Sequence, residues 1–235
     1  MLLPEILIRL VNLWFNDFAM KNTTLSIALL TLLACGPRER VSKETLDQVN
    51  ESMEIKRLTE AEILEEAMVW GDSLTAEAQS QLLASLQQAI AEGGTVGALE
   101  FCNVQALPLL AAVGEAHQVG IRRVSNRSRN PLDRPDDDEA PLLEAYEYNA
   151  ETGGKSDPNI QKLENGTVFL YTKPIVIPGN FCLSCHGEPG TEIDAPTLEK
   201  LAELYPEDKA KNHKVGDLRG MWSLRIPKKE VVKRL

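Results

Sequence analysis

Apolar residues recur at helical spacing through the first half of the chain and alternate, strand-like, through the second. Leu58, Ile63, Leu64, Ala67 and Met68 fall near one stripe, and from Ser73-Leu74-Thr75 a reopened helix carries Leu82, Leu83, Leu86 and Ile90. The pattern predicts helix over 54–92, stopped by Gly93-Gly94. Between Thr95 and Val113, the residues Cys102, Ala106, Leu109 and Val113 lie on one face at about 3.6 residues per turn, which turns Cys102 inward. Pro108 predicts a kink in that helix rather than two separate elements.

After this point the period shortens. Gly120 to Asn126 reads as a strand and Arg127-Ser128-Arg129-Asn130-Pro131 as a loop. Asp136 and Glu139 have the spacing of a capping box for a helix through Tyr148. The acidic run 136–139 lacks the spaced ligands and glycine of a calcium loop, so it is read as a solvated helix start. Ile160 to Glu164 and Thr167 to Thr172 flank Asn165-Gly166, a hairpin signal, and predict an antiparallel pair. Ala195 to Leu204 predicts a helix closed by Tyr205-Pro206, and Gly220 to Pro227 a last, aromatic strand followed by a short basic helix. Helices first and antiparallel strands after give an α+β class.

Composition adds an address. At 235 residues the chain has room for one ordinary domain and appendages. A net charge of −10 with no basic stripe argues against a nucleic-acid partner. Met20-Lys21 precedes the apolar run Leu25 to Leu33, too short for a comfortable membrane span, and then Ala34-Cys35-Gly36: the layout of an export signal. Leu32-Leu33-Ala34-Cys35 resembles a bacterial lipoprotein cleavage site with Cys35 as the lipidated residue. The expected organisation is a signal segment at 1–34, of which 1–19 precede the better start at Met20, a tether at 35–54, and one domain at 55–235.

The chemistry is concentrated in Phe181-Cys182-Leu183-Ser184-Cys185-His186-Gly187. Two thiols separated by two residues, followed at once by an imidazole, form the attachment pattern of a c-type haem: Cys182 and Cys185 as thioethers, His186 as an iron ligand. A redox dithiol, half a zinc site or a disulfide needs only the cysteines and leaves His186 unexplained. With Cys35 assigned to lipid and two cysteines to haem, Cys102 remains as a lone thiol in an exported chain.

Several segments together resemble a bacterial single-haem c-type family: Glu100-Phe101-Cys102-Asn103, Ile121-Arg122-Arg123-Val124-Ser125, Arg129-Asn130-Pro131, the haem motif, Tyr205-Pro206-Glu207-Asp208-Lys209-Ala210 and Gly216-Asp217-Leu218-Arg219-Gly220. The similarity spans roughly residues 55–232. It implies a PAS-like fold and, as in a similar cyanobacterial haem protein, His/Cys ligation, with His186 proximal and Cys102 distal. Lys211-Asn212-His213 departs from the expected glycine and aromatic residue. His117, His213 and Met221 are the other conceivable ligands. Arg122, Arg123 and Arg129 are candidates to neutralise the haem propionates, and Phe169, Tyr171 and Trp222 to line the pocket. The expected function is a lipid-anchored periplasmic protein carrying one covalent haem c, with the outer membrane favoured. It would act as an electron carrier for a protein redox partner, or as a sensor of redox state or a diatomic gas. A haem enzyme, such as a peroxidase or small-molecule reductase with an open distal side, is the alternative.

Overall fold

In a computed structural model the described residues are 42–46 and 58–235. The chain divides into two units, Met1–Lys56 and Arg57–Leu235. The first is described only at 42–46, where Ser42 Oγ accepts the Thr45 N–H (3.0 Å) at the start of a helical turn. The signal segment and nearly all of the tether, Cys35 included, lie outside the described residues.

The second unit begins with a 45-residue helix, α1 (Glu60–Val104). Thr59 and Glu62 start it with a reciprocal capping box, the Thr59 N–H donating to Glu62 Oε2 at 2.7 Å and the Glu62 N–H to Thr59 Oγ1 at 3.2 Å. Ser73 to Thr75 does not interrupt it. At Gly94, φ 64° and ψ −162° break the helix within its span, a conformation open to glycine. The next helix, α2 (Ala106–His117), is bent by 49° from α1 across Gln105. The bend therefore precedes Pro108 rather than falling on it, and it separates two helices where one kinked helix was expected. Pro108 sits in the first turn of α2, where its missing N–H is an orphan anyway and its ring opposes the carbonyl of Val104.

A four-stranded antiparallel sheet follows, in the order β1-β4-β3-β2. Its strands are β1 (Gly120–Val124), β2 (Asn159–Leu163), β3 (Val168–Val176) and β4 (Leu218–Pro227). Between them lie α3 (Ala140–Thr152), the haem-motif helix α4 (Asn180–His186) and α5 (Ala195–Leu204), and α6 (Lys228–Val232) closes the chain. β3 continues past Thr172 through Pro174, beyond the end of its pairing with β2. The hairpin turn at Asn165-Gly166 is a short 3₁₀ turn with positive φ at Glu164, Asn165 and Gly166. The Asp136/Glu139 pair bonds as expected, the Glu139 N–H to Asp136 Oδ1 at 3.1 Å and the Asp136 N–H to Glu139 Oε2 at 2.9 Å, one turn ahead of α3.

Strand alternation divides the sheet into two faces. Phe169 and Tyr171 of β3 and Trp222, Leu224 and Ile226 of β4 pack with Ile63, Ala67, Trp70 and Leu74 of α1 and Leu110 and Val113 of α2. Gly71 makes this contact possible: a Cβ there would lie 2.4 Å from the Tyr171 ring. On the other face Val124 and Met221 meet Leu143 and Tyr146 of α3. A third cluster, Leu99, Ile193, Leu201 and Tyr205, joins the far arm of α1 to α5. Thr95 Oγ1 and Thr197 Oγ1, 2.6 Å apart, tie the same two elements.

Candidate functional site

The haem motif forms the short helix α4, with His186 at its C-terminal end and Gly187 as its cap. Gly187 is required by close approach, since a Cβ there would stand 2.7 Å from the Glu192 carboxylate and 2.8 Å from the Leu183 carbonyl. The loop 208–213 runs alongside and is stapled to it: the Asn212 N–H donates to Gly187 O (2.8 Å) and the His213 N–H to His186 O (2.9 Å). His186 Nδ1 lies 2.8 Å from the Ala210 carbonyl. A carbonyl can only accept, so Nδ1 carries the proton and Nε2 keeps its lone pair, as a metal-binding imidazole requires. Burial and the neighbouring Arg129 and Arg219 hold the His186 pKa well below its ordinary value, so the ring is neutral.

Beside α4 opens a cavity of about 620 Å³, within the range of cofactor sites. Its wall includes Cys182, Cys185 and His186 from α4, Cys102 from the far arm of α1, Trp222 from β4 and Ile175 from β3. Cys102, Cys182 and Cys185 are unpaired. Burial pushes all three thiols up, and for Cys102 the charges of Arg123 and Arg129 pull the other way.

Three arginines reach the same cavity: Arg123, Arg129 and Arg219. Burial, with Arg129 and Arg123 alongside, depresses the Arg219 pKa to about 10. Asp133 and Asp208 offset part of this charge, yet Arg123 Nε is buried without a partner. An anionic group entering the cavity would relieve that cost. Among the described residues no three or more His, Cys, Asp or Glu side chains converge as a metal site. A metal here would need donors beyond the described side chains, which the four nitrogens of a porphyrin would supply. The residues present fit such a group: an imidazole with Nε2 free, the Cys102 thiol, two thiols on α4 and cations for carboxylates.

A family model described as Tll0287-like matches residues 39–227. The chain belongs to the Tll0287-like family. Cys102, Cys182, Cys185 and His186 all fall within the matched span, and Cys35 lies before it. Among solved structures the chain is similar to the crystal structure of the cyanobacterial heme-protein Tll0287, with 24% identity over 65% of this chain and 92% of that one and a TM-score of 0.45. A search of curated proteins gives no match.

The other residues singled out in this Tll0287-like chain are scattered by the fold. Arg122 alternates to the opposite face of β1 from Arg123 and binds the carbonyls of Leu132 (3.1 Å) and Arg134 (2.5 Å), with Glu139 3.7 Å from its Nε. It does not line the cavity, because alternation on one strand can send only one of the two arginines inward. Tyr171 is likewise away from it, its hydroxyl donating to Asp72 Oδ1 at 2.7 Å beneath α1, and Phe169 is core. Of the alternative ligands, His117 pairs with Glu77 (3.0 Å) and Met221 packs against α3. His213 is buried behind His186, ring centroids 6.2 Å apart and nearly perpendicular. The departure at 211–213 is accommodated: Asn212 takes φ 60°, a conformation glycine adopts readily, and His213 supplies a buried flat ring. Arg219 and Tyr205 line the cavity but were not singled out from sequence. Their only signal was membership of two segments that carry the family resemblance.

Proposed function

We propose that this chain is an exported c-type haem protein that carries electrons or reports redox state or a diatomic gas. One haem is held by thioethers at Cys182 and Cys185, with His186 and Cys102 as axial ligands, in a PAS-like domain. The observation that carries this is the meeting of all four residues on one cavity, with His186 Nδ1 already committed to Ala210 and Nε2 therefore free. Cys182 and Cys185 would hold the group as thioethers, each S–H adding across one vinyl double bond to give a C–S and a C–H bond with no oxidant needed. The iron porphyrin supplies the one-electron chemistry. Cys102 would hold the iron as thiolate; burial raises its pKa, and the charges of Arg123 and Arg129 oppose that rise. Arg123 and Arg219 meet the carboxylates. Trp222 and the apolar wall keep water from the site.

With both axial positions filled, electron exchange is favoured over substrate turnover, and a thiolate favours ferric iron. The apolar run before Cys35 supports a periplasmic, lipid-anchored location, and Gly36 in place of an aspartate after Cys35 favours the outer membrane. The test is Cys102→Ala in the haem-loaded protein. The haem is expected to stay attached while the ferric spectrum loses its thiolate-bound low-spin character, the potential rises and carbon monoxide binds more readily. An unchanged spectrum and potential would remove Cys102 as ligand, and a high-spin ferric parent would favour the enzyme with an open distal side.

A further inference from the structure

Arg129 turns Nη2 to the protein backbone. Its Nη2 donates to the carbonyl of Cys185, the peptide just before His186, and lies 3.5 Å from the Ala210 carbonyl that accepts from His186 Nδ1. Its Nε lies 3.3 Å from Asp208 Oδ1, and that same oxygen accepts the Ala210 N–H at 2.8 Å. Asp208 is almost wholly buried and Arg129 nearly so, and the guanidinium sits 6.0 Å over the Tyr205 ring. One buried ion pair thus grips both ends of the His186–Ala210 hydrogen bond: the helix that presents the imidazole and the peptide that receives its proton.

We propose that Arg129 and Asp208 act together as a positioning pair that fixes the ring of His186 and strengthens its Nδ1–H···O=C bond. The proposal rests on the haem reading for its effect on potential. The physical link is that donation from Nδ1 raises the electron density of the imidazole at Nε2, which favours the ferric state. A guanidinium touching the Ala210 carbonyl and a carboxylate holding the Ala210 N–H leave that peptide no freedom to rotate away.

The test is Arg129→Met combined with Asp208→Ala in the haem-loaded protein. Removing one charge of each sign leaves the net charge near the iron unchanged, so a shift in potential reports orientation rather than Coulomb attraction. The His186 Nδ1 proton, read by NMR, is expected to exchange with solvent about tenfold faster than in the parent, and the potential to rise. Should the double variant fail to fold, Arg129→Lys alone decides: it keeps a cation beside Asp208 but loses the second nitrogen, and Nδ1–H must again exchange faster. Parent-like protection and potential in the folded variant would overturn the proposal. A parent without covalent haem would instead overturn the haem reading, and protection of the Nδ1 proton in the unloaded chain would still test the pair.

Discussion

Replacing His213 by Phe gives the acid side of the stability profile a specific origin. The imidazole is out of contact with solvent and its Nε2 has no partner. Burial, then Arg127 and Arg219, depress its pKa from 6.5 to about 4. The unfolded chain therefore takes up a proton near pH 6.5 that the folded protein refuses until about pH 4. The sign follows: the contribution is fully favourable above the unfolded pKa and is lost as pH falls through it. At pH 5 this linkage costs about 2 kcal/mol, against a few tenths at pH 7. A phenyl ring fills the site without a titratable group. Urea denaturation of both proteins at pH 7 and pH 5 should show the parent losing about 2 kcal/mol more than His213→Phe over that interval. Groups remote from His213 contribute equally to both and cancel in the difference; of its neighbours, His186 feels His213 as the least of the causes that lower its pKa. Parallel pH profiles would refute the reasoning.

Two further outcomes are expected. Gly71→Ala places a methyl within 2.4 Å of the Tyr171 ring, and thermal denaturation should register an overpacking loss of about 1–3 kcal/mol; an unaltered Tm would mean that α1 and β3 have slack. The mature protein should begin at a lipid-modified Cys35, and intact-mass measurement of the membrane fraction checks it; a chain still carrying Met1 or Met20 would remove the anchor.

Periodicity carried much of the architecture. The strands, α5, the hairpin and the inward face of Cys102 were legible because each depends on spacing within a few neighbouring residues. What escaped depends on partners far along the chain. Choosing between Arg122 and Arg123 requires knowing which face of β1 turns to the cavity, and that is set by register with β4, about a hundred residues later. Tyr171 is aromatic and close to the motif in sequence, yet α1 covers it through Gly71 and Asp72. The acceptor for His186 is a backbone carbonyl, for which Ala210 has no side-chain signature. The bend at Gln105 was displaced by three residues from Pro108, because a proline in the first turn disturbs the residue four before it rather than its own position.

The central claim is covalent haem on α4, and mass spectrometry of the protein matured with a cytochrome c attachment system tests it most directly. The peptide containing Cys182 and Cys185 should carry the mass of one haem, and the colour should survive acid-acetone extraction. Haem that extracts freely, leaving both thiols unmodified, would contradict the account.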